Sequence, residues 1–178
     1  MKQCSTILLL FFFTTLTAQE QEKTNGFFYK PSFAFTLTTN DNYTIANNEN
    51  ENIFNPNGLF VNNTVGYQFD LRSSIGLNVE YNHYLDQNLN FLPVYLDFAY
   101  NIFDFDVVFV RGGFGKLVDL GTDFEHGTMY KVGIGYRAFD DHFKNSWLIG
   151  LDFSRKRFGF RQSEKLSSVA IFLEFMLL

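Results

Sequence analysis

The sequence predicts an all-β protein, an eight-stranded antiparallel up-and-down transmembrane β-barrel. Three observations predict it. Downstream of Gln19 the chain falls into eight segments that alternate with period two, placing neighbouring side chains on opposite faces. In each segment one face carries large apolar residues, while the other is dominated by Gly, Ser, Asn and charge. The connections alternate between short and long. The composition agrees: aromatics make up 19% of the chain, mostly 24 Phe and 9 Tyr, and both favour strands.

Residues 1–18 read as a signal peptide, which leaves 19–178 as the barrel domain. Lys2 gives the positive start, 7–13 the apolar run, and Thr17-Ala18 the small residues for cleavage. An N-terminal anchor or a buried strand is the alternative, but the run is too short to cross a bilayer as a helix. Cys4 is the only Cys and precedes the run, so it is not positioned as a lipidated Cys, and the mature chain would lack thiols.

The eight predicted strands follow in order. The first, 27–38, sets Phe33, Phe35 and Leu37 against Ser32, Ala34 and Thr36. The second, 59–71, sets Val65, Tyr67, Phe69 and Leu71 against Thr64, Gly66, Gln68 and Asp70. The third, 74–84, sets Ile75, Leu77, Val79 and Tyr81 against Gly76, Asn78, Glu80 and Asn82. The fourth, 91–103, sets Leu92, Val94, Leu96, Phe98, Tyr100 and Ile102 against Tyr95, Asp97, Ala99 and Asn101. The fifth, 107–116, sets Val108, Val110 and Phe114 against Arg111, Gly113 and Gly115. The sixth, 128–139, sets Tyr130, Val132, Ile134 and Tyr136 against Lys131, Gly133, Gly135 and Arg137. The seventh, 147–156, sets Ile149, Leu151 and Phe153 against Gly150, Asp152 and Ser154. The eighth, 166–178, sets Val169, Ile171, Leu173 and Phe175 against Ser168, Ala170 and Glu174.

A soluble β-sandwich or lipocalin-like barrel also alternates, but points its apolar face inward. Eight strands enclose only enough room for side chains. So much Phe and Tyr inside would overfill the barrel, and the large residues are therefore expected to face lipid. The short connections are 71–73, 103–106 and 140–146; the longer ones are 40–57, 116–127 and 157–165. Short periplasmic turns and longer outer loops would put both termini in the periplasm. Aromatic girdles are expected from Phe69, Tyr100, Tyr136, Trp147 and Phe175 at the periplasmic side, and from Tyr81, Phe91, Phe114, Tyr130 and Phe153 toward the outside.

Three strand motifs resemble the small outer-membrane β-barrel family common in Bacteroidota. They are Leu92-Pro93-Val94-Tyr95-Leu96-Asp97, Val110-Arg111-Gly112-Gly113-Phe114-Gly115 and Val132-Gly133-Ile134-Gly135-Tyr136-Arg137. The Thr17-Ala18-Gln19 junction is similar to cleavage sites in that group. The resemblance implies an outer-membrane location, reached after secretion through the inner membrane, and handling by the insertion machinery. Family members often end in an aromatic residue read by that machinery, whereas this sequence closes on Phe175-Met176-Leu177-Leu178.

No motif for chemistry stands out. Gly112-Gly113-Phe114-Gly115-Lys116 fits neither a P-loop nor a dinucleotide fingerprint. His83, His126 and His142 share no metal spacing. The His126-Gly127-Thr128 neighbourhood is the nearest approach to an acyl-transfer pair, but the His-x-Ser-Asn pattern of deacylase-like barrels is absent. The segment 40–57 holds eight Asn with Asp41, Glu49 and Glu51, without EF-hand spacing. The net charge of −5 disfavours nucleic acid.

The inward charges carry more information. Glu80, Asp97, Asp152 and Glu174 oppose Arg111, Lys131 and Arg137, and buried charges must pair, so a salt-bridged, plugged lumen is expected. The connection near 157–165 carries Arg155, Lys156, Arg157, Arg161 and Lys165, which are candidate contacts for outer-leaflet glycolipid phosphates. The expected role is non-enzymatic and cofactor-free: a structural or surface-binding barrel, in contact with outer-membrane lipid and glycolipid and with an extracellular or envelope protein partner. The alternatives are a lipid-modifying enzyme at the rim and a narrow solute channel.

Overall fold

The computed structural model describes residues 25–40, 56–102, 108–121, 123–140 and 145–178. The expected signal peptide, the body of the Asn-rich connection and His142 lie outside these residues. The strands are β1 (Gly26–Asn40), β2 (Gly58–Gln68), β3 (Ser73–Tyr84), β4 (Leu89–Phe91), β5 (Pro93–Asn101), β6 (Val108–Leu117), β7 (Gly127–Phe139), β8 (Asn145–Phe158) and β9 (Glu164–Leu177). All their pairings are antiparallel.

β4 and β5 form one stave of the barrel. Both pair with β3 in a single register, from Asn82 opposite Phe91 to Val79 opposite Val94. Leu92 interrupts them just ahead of Pro93, which has no N–H to give a ladder. The nine segments therefore make eight staves. β1 pairs with both β2 and β9, so the sheet closes on itself and leaves no edge. β1 is irregular at Leu37, between Thr36 and Thr38, a bulge of the kind that adds local bend in closed sheets.

The period-two reading fixes the faces correctly. Leu96 and Phe114 of the outward set are 56% and 65% exposed, as are Phe33, Leu77, Ile134, Leu151 and Leu173 to comparable degrees. The inward set is buried: Ser32, Thr64, Asn78, Glu80, Asp97, Lys131, Asp152 and Glu174. All five aromatics expected at the periplasmic end and four of the five expected toward the outside face outward or are only half-buried on the outer surface, and Trp147 packs on Phe175 at 4.6 Å. Phe91 is the correction, being fully buried inside.

The overfilling argument also needs correction. Phe28, Phe60, Tyr84, Phe91, Tyr95, Phe109, Phe158 and Phe172 all point inward. They fit because glycines stand opposite several of them in the ladder: Gly66 faces Phe28, Gly115 faces Tyr95, Gly135 faces Phe109 and Gly150 faces Phe172. A Cβ on Gly66 would lie 2.4 Å from the Phe28 ring, and one on Gly150 would lie 2.7 Å from the Phe172 ring. Each ring occupies the volume that its neighbour's side chain leaves empty.

Two connections differ from expectation: the β2–β3 turn is longer, at 69–72, and the β8–β9 turn is shorter. β2 ends at Gln68, and Asp70 caps the turn by accepting hydrogen bonds from the Ser73 hydroxyl (2.7 Å), the Ser73 amide (2.6 Å) and the Arg72 amide (2.8 Å). β8 runs to Phe158 and β9 starts at Glu164, so only 159–163 turn the chain. Gly159, Arg161 and Gln162 adopt positive φ there.

Candidate functional site

The inward side chains form three levels. At the end holding the chain's described termini, Arg137 donates to Ser146 Oγ and Gln68 Oε1, both at 2.9 Å, and lies 4.3 Å from the Phe139 ring centre. Its hydrogen-bond partners among the described residues are neutral, so the expectation that it joins the ion pairs is corrected. Phe28, Phe109, Leu148 and Met176 belong to the buried apolar set near this end.

The middle level is an alternating chain of charge. Lys131 pairs with Glu80 and lies 3.7 Å from Asp152. Arg111 grips Asp152 with two hydrogen bonds, Nε to Oδ1 at 2.8 Å and Nη2 to Oδ2 at 2.6 Å. The same guanidinium donates Nη1 to Glu174 Oε1 at 2.6 Å and stacks 3.9 Å over the Phe172 ring. Lys30 completes the chain at 2.9 Å from Glu174 Oε2. Three anions and three cations thus alternate, and the chain runs from β3 through β7, β8, β6 and β9 to β1. Tyr95 donates its hydroxyl to Glu80 Oε2 at 2.8 Å, adding a neutral partner.

Of the residues expected in this network, Glu80, Arg111, Lys131, Asp152 and Glu174 are brought together. Asp97 is buried but stands apart, accepting from Asn78 Nδ2 at 2.6 Å with no ion pair among the described residues. Lys30 was missed. Extending the alternation of the first strand back from Ser32 by one period would have found it, since Phe28, Lys30 and Ser32 share the inward face.

At the outer level Lys156 overturns a second expectation. It does not sit in a loop on the glycolipid side. It is a β8 residue on the Asp152–Ser154 face and is fully buried. Its ammonium donates to the Tyr84 hydroxyl at 2.7 Å and lies 4.9, 5.0 and 5.6 Å from the Phe60, Tyr84 and Phe91 rings. Such ring faces stabilise a cation electrostatically. Ser168 meets Tyr84 at 3.0 Å and Ser154 at 2.9 Å, extending the polar contacts toward the middle level.

Of the remaining expected glycolipid contacts, Arg155 and Arg157 lie in β8 and Lys165 in β9, all on the outer surface; only Arg161 lies in the turn. His126 is exposed, and the Thr128 hydroxyl donates to Gln162 Oε1 at 2.9 Å. Asn57 ties the β3–β4 turn to β2 through its own carbonyl and side chain, at 2.7 Å to the Leu85 amide and 2.6 Å to the Asp86 amide.

No protein-family model matches the chain, and no curated protein matches it. Among solved structures it is similar to Neisserial surface protein A, with 10% identity and a TM-score of 0.53 over 86% of this chain and 97% of that one. A second similar structure comes from the de novo design of transmembrane β-barrels, with 16% identity and a TM-score of 0.45 over 88% of this chain and 100% of that one. The first likeness agrees with the closed sheet and the outward apolar belt: the fold is that of a small eight-stranded transmembrane β-barrel.

Proposed function

We propose that this chain is an integral outer-membrane protein with an interior closed to solute flow, acting as a structural or surface-binding protein through the loops at its outer end. The observation that carries the closed interior is the unbroken ion-pair chain from Glu80 through Lys131, Asp152, Arg111 and Glu174 to Lys30. It spans the lumen between opposite walls, because Arg111 of β6 reaches Glu174 of β9 and Lys131 of β7 reaches Glu80 of β3. Below and above it, Phe109 and Phe91 add buried apolar bulk. An eight-stranded barrel has little lumen beyond the volume its side chains fill.

The membrane placement is supported by the outward belt and by the girdle positions, and the strand motifs agree with the outer-membrane resemblance. The role is read as non-catalytic. The orientation follows from the connections: the 69–72 turn and the described termini share one end, expected to be periplasmic, and the two longest connections, between β1 and β2 and between β6 and β7, share the other. The test is planar-bilayer recording of the purified, refolded barrel. No steady ohmic conductance is expected. A stable conductance abolished by heat denaturation would overturn the closed interior and favour a solute channel.

A further inference from the structure

The outer surface of the wall formed by β6, β7, β8 and β9 carries a row of cations. Lys116 pairs with Thr128, Thr128 with Arg157 and Arg157 with Lys165 in the ladders. Neighbouring strands lie about 4.8 Å apart, so these four positions are contiguous. Each is the last or first outward position of its strand at the outer end. Lys116, Arg157 and Lys165 are exposed, and none makes an ion pair with a carboxylate among the described residues.

One period further into the membrane on the same strands the chemistry changes. Phe114 is opposite Tyr130, and Tyr130 is opposite Arg155. Phe114 is 65% exposed, and the apolar belt continues below it. Cations at strand ends above the exposed Phe114 and the half-buried Tyr130 match a lipid that carries phosphate on its headgroup and several acyl chains beneath. The opposite wall lacks this pattern: the row there reads Phe35, Leu59, His83 and Asn90.

We infer that the outer end of the β6–β9 wall is a binding site for a phosphate-bearing glycolipid of the outer leaflet, held by Lys116, Arg157 and Lys165. This rests on the outer-membrane reading above. Lys and Arg give charge-assisted hydrogen bonds to phosphate oxygens, and the apolar belt holds the chains. One-sided placement makes this a site rather than an annular charge, because a ring of headgroup contacts would be populated on every stave.

The test uses the full mature barrel in phosphatidylcholine nanodiscs titrated with lipid A, with native mass spectrometry as the readout. Protease protection and heat-modifiable gel migration in phosphatidylcholine alone come first; failure there would overturn the membrane reading itself, and with it this site. With that met, bisphosphorylated lipid A is expected to bind at least about tenfold tighter than dephosphorylated lipid A. The triple variant Lys116→Gln, Arg157→Gln, Lys165→Gln should lose that preference, and the charge-preserving set Lys116→Arg, Arg157→Lys, Lys165→Arg should keep most of it. If the Gln variant fails to fold, the three single Gln variants, each expected to weaken binding, decide the matter. Unchanged binding by the Gln variants would overturn the site. So would full competition by millimolar inorganic phosphate, which would mean a free-ion site, or equal binding of phosphatidylglycerol, which would mean attraction to charge alone.

Discussion

Arg111 reaches Asp152 across an intervening strand, and the two groups meet through a bidentate contact at 2.6 and 2.8 Å. β7 lies between them, and its Gly133 is the ladder partner of both residues. The contact exists because that position has no side chain. A Cβ there would stand 2.2 Å from Asp152 Oδ1 and 3.2 Å from Arg111 Cγ. Gly133→Ala is therefore expected to destabilise the barrel by about 1–3 kcal/mol through overpacking, read in a urea folding titration in lipid vesicles. Gly112→Ala is the control, because a Cβ there meets nothing within 4 Å. Equal effects at both sites would contradict the crossing geometry.

Arg111 holds two carboxylates at once. Arg111→Ala should cost about 3–5 kcal/mol, because it leaves Asp152 and Glu174 short of their main cation. Arg161→Ala, in the exposed β8–β9 turn, should stay within about 0.5 kcal/mol of wild type. The same titration compares them, and a small loss for Arg111→Ala would mean the interior charges are solvated.

Lys156 should behave in the opposite way. It is a buried cation whose ammonium meets a hydroxyl and three rings. Lys156→Met keeps the length and the packing without the cost of burying charge. It is expected to be neutral or to raise stability by about 1 kcal/mol or more. A marked loss would show that the ammonium is needed where it sits.

The lipid-facing surface has its own test. Leu96 and Ile134 lie mid-strand and are 56% and 51% exposed. Arg at either position should cost about 2–4 kcal/mol in lipid, as expected near the bilayer midplane. Harmless Arg at both would reverse the assignment of the outer face.

The β2–β3 turn gives a pH dependence. The Ser73 hydroxyl, followed by the Ser73 amide, holds the Asp70 carboxyl below its ordinary value of 3.8. A carboxyl depressed on folding adds stability that is present above its unfolded value and disappears as pH falls through the folded one. Wild type should therefore lose slightly more stability than Asp70→Asn between pH 5 and pH 3, by roughly the small amount expected of an exposed group. Parallel pH profiles for the two proteins would remove Asp70 from the turn's stabilisation.

The sequence by itself determined the staves and their faces. Period two is a property of the extended backbone, so Leu77, Leu96, Ile134 and Leu173 could be placed outward, and Glu80, Lys131 and Asp152 inward, without knowing any neighbour. The tertiary structure decided what each inward residue meets. Ladder register joins residues far apart in sequence, so Phe172 could be seen to fit only once Gly150 stood beside it. Strand ends depend on pairing as well. Lys156 closes the seventh predicted strand on the Asp152–Ser154 face, and the longer β8 carries that inward parity past it to Phe158, while the same ladder aligns Arg157 with Lys165. Barrel closure sets which charges face one another across the lumen. That is why Lys30 joins Glu174, while Asp97 and Arg137, on the same inward face, find neutral partners.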